Sequence, residues 1–286
     1  MIQLFTDSAA NLTAQLANEY NISVIPLSYT MGGEQKNQLD DFDGKAFYDA
    51  LRAGEVVKTS MINIAAFTDR FENELRVGND ILYIGLSGGV SGTTNAAQMA
   101  ANELHGEYPE RRIEVIDSRG ASLGEGMIVL EAAKMLRSGA DLDEVTARVK
   151  ELIPNMCQCF TVDDLNYLKR SGRISGAAAL IGGILGIRPL LIGDDEGRIV
   201  MYDKIRGAKR ALDALAERYA RLVTDKAREI GIAHADNEGG VAYLLGKLRE
   251  HGFCGKELTV CYEPVTGAHV GPGTVALFFY GKSRVL

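Results

Sequence analysis

The chain has 286 residues, 46% of them hydrophobic and 24% charged, with a formal net charge of −7 at pH 7. That length exceeds what one hydrophobic core usually organises and implies two domains, while the balanced composition excludes disordered and fibrous classes. The acidic balance leaves no basic face to neutralise a phosphate backbone, which excludes nucleic acid as a partner.

Residues 1–7 carry neither the basic segment nor the apolar stretch of a signal peptide, so a cytoplasmic protein is expected. Apolar spacing predicts a strand at 2–5, a helix at 11–19 with Leu12, Leu16 and Ala17 on one face, and a second strand at 22–29 ending at Gly32-Gly33. Phe47 and Leu51, then Phe67, Phe71 and Leu75, mark two amphipathic helices. A strand at 81–86, a helix at 94–104, a strand at 113–116 and a helix at 127–136 follow. Asp141 with Glu144 three residues on starts a further helix that stops before Pro154. This alternation of strand and helix implies a parallel sheet covered by helices.

The pattern changes between residues 155 and 163, after the C-x-C pair Cys157 and Cys159. Strands at 190–192 and 199–202, joined by the acidic turn Asp194-Asp195-Glu196-Gly197, read as a hairpin. Helices at 207–222 and 239–250, strands at 230–233 and 258–262, and a last strand at 275–280 complete the chain. The four cysteines, which include Cys254 and Cys261, lack the paired C-x-x-C spacing of a zinc site and read as reduced, mostly buried thiols; no metal is expected. The most apolar stretch, 176–192, is too short and too broken by glycine, Arg188 and Pro189 to cross a membrane, so no transmembrane segment is expected.

Three strand ends share one kind of text: Thr6-Asp7-Ser8, the run from Ser87 to Thr94, and Asp117-Ser118 followed by Gly120-Ala121-Ser122. In an open parallel sheet these loops meet at the carboxyl ends of the strands, where ligands bind. A fourth hydroxyl-bearing stretch, the pair Thr59-Ser60, precedes the helix that begins near Ile64. Such loops are rich in hydroxyls and poor in cations, and helix amino termini offer unpaired N–H groups to an anion. The same residues also serve ordinary helix caps and tight turns. No glycine is followed by lysine as a Walker loop requires, and G-x-G-x-x-G is absent. Gly85-Leu86-Ser87-Gly88-Gly89 matches the G-x-S-x-G of a hydrolase elbow, with Asp236 and His269 in triad order. Against that reading, the glycines at 88, 89 and 92 delay the helix that should follow the nucleophile directly. His269 is read in a turn before Gly271-Pro272-Gly273, and Arg206 at the head of the helix from Gly207.

Taken together, the text resembles the DegV family of bacterial fatty-acid-binding proteins. The resemblance is carried by Thr6-Asp7-Ser8, Lys58-Thr59-Ser60, Leu86-Ser87 with Ser91-Gly92-Thr93, Asp117-Ser118, the run from Asp163 to Ser175, Arg206-Gly207, and Ala268 to Gly273. It implies an amino-terminal parallel-sheet α/β domain (residues 1–158) and a carboxy-terminal α/β domain of different topology (159–286), with a long-chain fatty acid between them. It also implies a subunit without catalysis of its own or any cofactor, which presents the acyl chain to a separate ATP-binding fatty acid kinase for acyl phosphate formation and phospholipid synthesis. By the same resemblance Thr59 and Ser91, with their neighbours Ser60, Gly92 and Thr93, and His269 hold the carboxylate. Arg206 and Arg173 serve the partner or the phosphate, and Asp7, Ser8 and Ser118 belong to the surrounding loops. Two departures stand out: Met61-Ile62 where Gln-Pro is usual, and Gly88 where a second serine is usual. An acyl chain of about 14 methylenes gains on the order of 11 kcal/mol by leaving water, before association costs, so the tail supplies affinity and the head group orientation. The small-residue run 177–187 is a candidate wall for that tail.

Overall fold

A computed structural model describes residues 1–37, 42–174 and 186–285. The chain begins with β1 (Ile2–Asp7), α1 (Ala14–Glu19) and β2 (Ile22–Ile25). Pro26 has no N–H to add to a ladder, and there the strand expected at 22–29 divides. Beyond it, β3 (Ser28–Met31), β4 (Glu34–Asn37) and, after α2 (Gly44–Arg52), β5 (Lys58–Ser60) form a separate antiparallel sheet ordered β4-β3-β5. The sequence pattern did not announce this small sheet, because β4 is exposed at every position and β5 has three residues.

The chain then runs through α3 (Ile64–Arg76), β6 (Asp80–Gly85), α4 (Thr93–Glu107), β7 (Ile113–Asp117), α5 (Leu123–Arg137) and α6 (Leu142–Leu152). β1, β2, β6 and β7 form the expected parallel sheet, in the order β2-β1-β6-β7. The Asp141–Glu144 capping box forms as read.

The second half contributes β8 (Met156–Thr161), α7 (Asn166–Arg170), β9 (Ile187–Gly193), β10 (Ile199–Arg206), α8 (Ala208–Leu222), β11 (Ile230–His234), α9 (Glu238–Glu250), β12 (Glu257–Cys261), α10 (Pro264–Val270) and β13 (Val275–Tyr280). Its six-stranded sheet, β10-β9-β8-β13-β11-β12, is mixed, with only β11 and β12 parallel. β8 lies wholly within this sheet, so a division at residue 158 cuts through one of its strands; the change of sheet comes before Met156. Two further expectations shift. Arg206 ends β10 instead of heading a helix, because Gly207, at φ 101°, breaks the chain and α8 starts at Ala208. The run 177–187 lies outside the described residues up to 185.

α5 joins the two halves. From Leu123 to Leu130 every residue is buried, as befits a helix apolar on all sides. It packs against β1 and β6 of one sheet and β8, β11 and β13 of the other. One core therefore runs from Leu4 to Tyr280 through both halves, while a second cluster lies under α8 and α9. All four cysteines are free; burial pushes the Cys157 and Cys159 thiols up to about 12. Among the described residues no helix is long and apolar enough to cross a membrane, and no group of His, Cys, Asp and Glu is arranged to hold a metal ion.

Candidate functional site

A cavity of about 390 Å³ opens between the small sheet, the β6–α4 loop and α10. Thr59 and Ser60 reach it from β5, Ser91 and Gly92 from the turn before α4, His269 from the last turn of α10, and Arg173 from the loop after α7. The other walls are apolar, including Leu27, Leu86, Leu168 and Val265. A smaller void of about 60 Å³ shares the walls Val90, Ala121, Ile199, Thr266 and Val270 and is bounded further in by Phe160, Phe278 and Tyr262. The space is thus polar at one end and greasy at the other.

At the polar end, Thr59 Oγ1 lies 2.9 Å from His269 Nε2, which ties the small sheet to α10. His269 Nδ1 is buried with no partner among the described residues. Burial and the neighbouring Arg173 push the imidazole down to about 4, so the ring is neutral at pH 7. The sequence reading put His269 in a turn; it stands in a helix because Glu263 accepts the Thr266 N–H at 2.7 Å and Pro264 occupies the first helical position. Gly271, at φ 76°, then ends that helix.

Ser91 Oγ and Thr93 Oγ1 are 2.9 Å apart, and Ser91 Oγ also accepts the Thr93 N–H at 3.3 Å. Thr93 is fully buried and braces Ser91 without lining the cavity. Gly92 caps α4 without a side-chain hydrogen bond. The cap leaves first-turn amides and the positive end of the helix dipole beside the polar end of the cavity. Arg173 donates through Nε to Val90 O at 3.3 Å and through Nη1 to Ser171 O at 2.5 Å, and makes no ion pair among the described residues. On the far side of Thr59, Arg173 and His269 lies a second cleft of about 370 Å³, with Lys58, Arg170 and Tyr167 on its walls.

Asp7, Ser8 and Ser118 do not reach the cavity. They are buried and hold its loops from behind: Asp7 Oδ2 accepts from Leu86 N at 2.9 Å, Ser8 Oγ from Leu27 N at 2.9 Å, and Ser118 Oγ from Gly120 N at 3.0 Å. Arg206 is exposed and borders none of these spaces. The hydrolase constellation does not assemble. Ser87 Oγ donates to Gly197 O at 2.8 Å, Asp236 pairs with Arg52 at 2.5 Å, and His269 faces Thr59. Ser87 instead fastens the β6–α4 loop to the β9–β10 turn, where a Cβ on Gly197 would fall 2.0 Å from its hydroxyl and φ is +72°. Of the two sequence departures, Met61 stands half-exposed on the cavity wall and Ile62 is buried. Gly88 donates its N–H to Asp117 at 3.0 Å, and a side chain there would crowd the same carboxylate at 2.8 Å. The apolar wall residues were not singled out in advance, since scattered leucines and valines read as core until the fold brings them around a void.

Comparison with known proteins bears on this architecture. The family model described as "Uncharacterised protein, DegV family" matches residues 1–282. A DegV domain-containing protein of Clostridium perfringens is 36% identical over 287 residues, covering 98% of each chain, and one of Lactococcus lactis is 32% identical over 99% of each. Among solved structures, a fatty-acid-binding DegV family protein from Thermus thermophilus superposes with a TM-score of 0.88 at 29% identity, covering 98% of this chain and 99% of its own. DegV of Bacillus subtilis, a fatty acid binding protein, superposes at 0.84 with 27% identity over 98% and 99%.

Proposed function

The chain belongs to the DegV family, and from that premise we propose that it binds a long-chain fatty acid, with the carboxylate at the Thr59–His269–Ser91 end of the cavity and the acyl tail toward Phe160 and Phe278. The observation that carries the reading is a cavity with hydroxyls among its walls that shares apolar walls with a smaller, greasier void beside it. A carboxylate there accepts from the Thr59 and Ser91 hydroxyls and the first-turn amides of α4, donors that hold an anion without neutralising it. A neutral His269 supplies a further polar contact at the same end. Ser87, the nucleophile of the G-x-S-x-G motif, is tied to Gly197 O and Gly89 N with no base beside it among the described residues, which supports a binding protein over a hydrolase built on that serine.

The two-sided geometry supports a finer role. The carboxylate would sit at the partition formed by Thr59, Arg173 and His269, exposed to the outer cleft with its Lys58, Arg170 and Arg173. We read that cleft as the approach of a phosphoryl donor brought by a separate ATP-binding kinase, with Arg173 meeting the incoming phosphate and Arg206 contacting the partner at the surface. The protein would bind and present; the kinase would catalyse.

Mass spectrometry of an organic extract of the protein purified from cells tests the first statement: stoichiometric long-chain fatty acid is expected. No lipid, together with a covalent adduct of a serine-reactive probe at Ser87, would sink it. Thr59→Ala and Ser91→Ala should each weaken fatty acid binding about tenfold, the scale of one hydrogen bond to a charged acceptor, and unchanged affinity in both would remove the head-group assignment.

A further inference from the structure

Two carboxyl side chains lie wholly buried behind the cavity, Asp7 at the end of β1 and Glu125 in the first turn of α5. Their partners differ in kind. Asp7 Oδ1 accepts the Ala9 N–H at 3.0 Å, and Oδ2 accepts the Leu86 N–H at 2.9 Å and the Tyr83 hydroxyl at 2.7 Å. Both oxygens face donors, the environment of a carboxylate; burial raises the Asp7 carboxyl, and the hydrogen bonds from Leu86, Tyr83 and Ala9 oppose that rise. Tyr83 reaches Asp7 beneath Gly85, where a Cβ would lie 2.1 Å from its hydroxyl.

Among the described residues the Glu125 side chain has one hydrogen-bond partner, Thr6 Oγ1 at 3.0 Å, and its second oxygen is buried without one. Thr6 has a single hydroxyl proton, and Ile84 O lies 2.8 Å from the same oxygen. Both protons find acceptors when Glu125 keeps its own, donates it to Thr6, and Thr6 donates to Ile84, which leaves bare only a neutral carbonyl oxygen of Glu125. An ionised Glu125 would compete with the Ile84 carbonyl for the one Thr6 proton and would leave a charged oxygen bare, in the repulsive field of Asp7, Asp117 and Glu263. Burial and the Asp7 charge raise the Glu125 carboxyl well above the ordinary carboxylate range, in keeping with that count.

We infer that Thr6, Asp7 and Glu125 form a split-charge anchor, one carboxylate and one neutral acid, that positions the ligand loop. Asp7 grips Leu86, a cavity wall residue and the first step of the loop to Ser91, while the adjoining Ser8 grips the Leu27 amide on the opposite wall. The neutral Glu125 completes the Thr6 chain without setting a second charge against Asp7. Asp7 and Glu125 are positioning residues, since neither reaches the cavity. Their effect on ligand rests on the fatty-acid reading; their charge states do not.

Infrared difference spectroscopy and binding of palmitate to the purified, delipidated full chain test this separately. At pH 8 the wild-type protein should show the band of a protonated carboxylic acid, lost in Glu125→Gln and kept in Asp7→Asn. Glu125→Gln, which reproduces a neutral donor, should bind palmitate within about threefold of wild type. Asp7→Asn turns an amide NH2 toward donors and should bind at least about tenfold more weakly, the scale of one charge-assisted hydrogen bond. A wild-type spectrum without that band overturns the charge assignment whether or not the variants fold, and so does a band that survives in Glu125→Gln but vanishes in a folded Asp7→Asn. Unaltered palmitate affinity in a folded Asp7→Asn overturns the positioning role. Wild-type protein that ignores palmitate refutes the fatty-acid reading while the infrared result still decides the anchor.

Discussion

The side chain on which the polar end of the cavity turns is His269, and its burial has a measurable signature. Its imidazole is held near 4, below the ordinary value of 6.5, chiefly by burial and further by Arg173. A depressed folded value means that the unfolded chain takes up the proton first. The stability tied to neutral His269 is therefore present above pH 6.5 and is lost as pH falls toward 4. The scale is on the order of 3 kcal/mol for a shift of this size. Thermal unfolding across that window should show the loss, and His269→Gln, which cannot titrate, should flatten it; a variant profile parallel to wild type would contradict the assignment. Glu125 predicts the opposite slope. With its folded value raised, its contribution is lost as pH rises above the ordinary carboxyl range, so Glu125→Gln should gain on wild type in melting temperature at alkaline pH. At this scale the sequence was legible where chemistry names a residue. Thr59, Ser91 and His269 are residues the sequence singles out for a head group, and all three line one cavity. Asp7 and Ser8 belonged to the same loop text yet turned inward, because a caps-and-turns vocabulary does not say which side of a loop the hydroxyl faces.

The elements that carry these residues are held by close backbone approach as much as by helix and strand. The β6–α4 loop meets the β9–β10 turn at Ser87 and Gly197, and a Cβ on Gly89 would lie 2.6 Å from the Gly197 carbonyl carbon. Gly197→Ala therefore combines a left-handed backbone with a collision. It should cost about 2 kcal/mol or more in denaturant unfolding, whereas Ser87→Ala, which removes the hydrogen bonds to Gly197 O and from Gly89 N without a collision, should cost about 1 kcal/mol. Equal, small losses would mean that the turn and loop do not bear on each other as drawn. The long elements were readable because their apolar period was sustained: the parallel strands and the helices α3, α4, α8 and α9 lie where the pattern put them. The short ones were not. β4 and β5 are exposed or edge segments without a buried face, and α10 hides behind a glutamate cap, which ranks below the usual Ser, Thr, Asp or Asn signals.

For the whole molecule, the two-domain expectation holds as two main sheets but not as a separate core for each. α5 packs on both, and the cluster from Leu4 to Tyr280 crosses between them. A sequence window sees periodicity within one element and has no view of which distant faces share a helix, so the fusion was not legible. Links at the surface of α2 add to it: Tyr48 donates to Tyr262 O at 2.8 Å, Tyr167 to Leu51 O at 3.1 Å, and Arg52 pairs with Asp236. A shared core couples the unfolding of its parts, so calorimetry of the delipidated chain should give one transition, not two separated ones. The cavity lies across the same junction, with β5 and the α4 turn on one side and α10 on the other. A ligand there binds the native state alone and must raise that single transition by mass action, about 2.7 kcal/mol at one hundred times Kd. Palmitate should move the whole peak upward with concentration. A shift of only part of the unfolding heat would show that the halves melt independently and that the ligand is held by one of them.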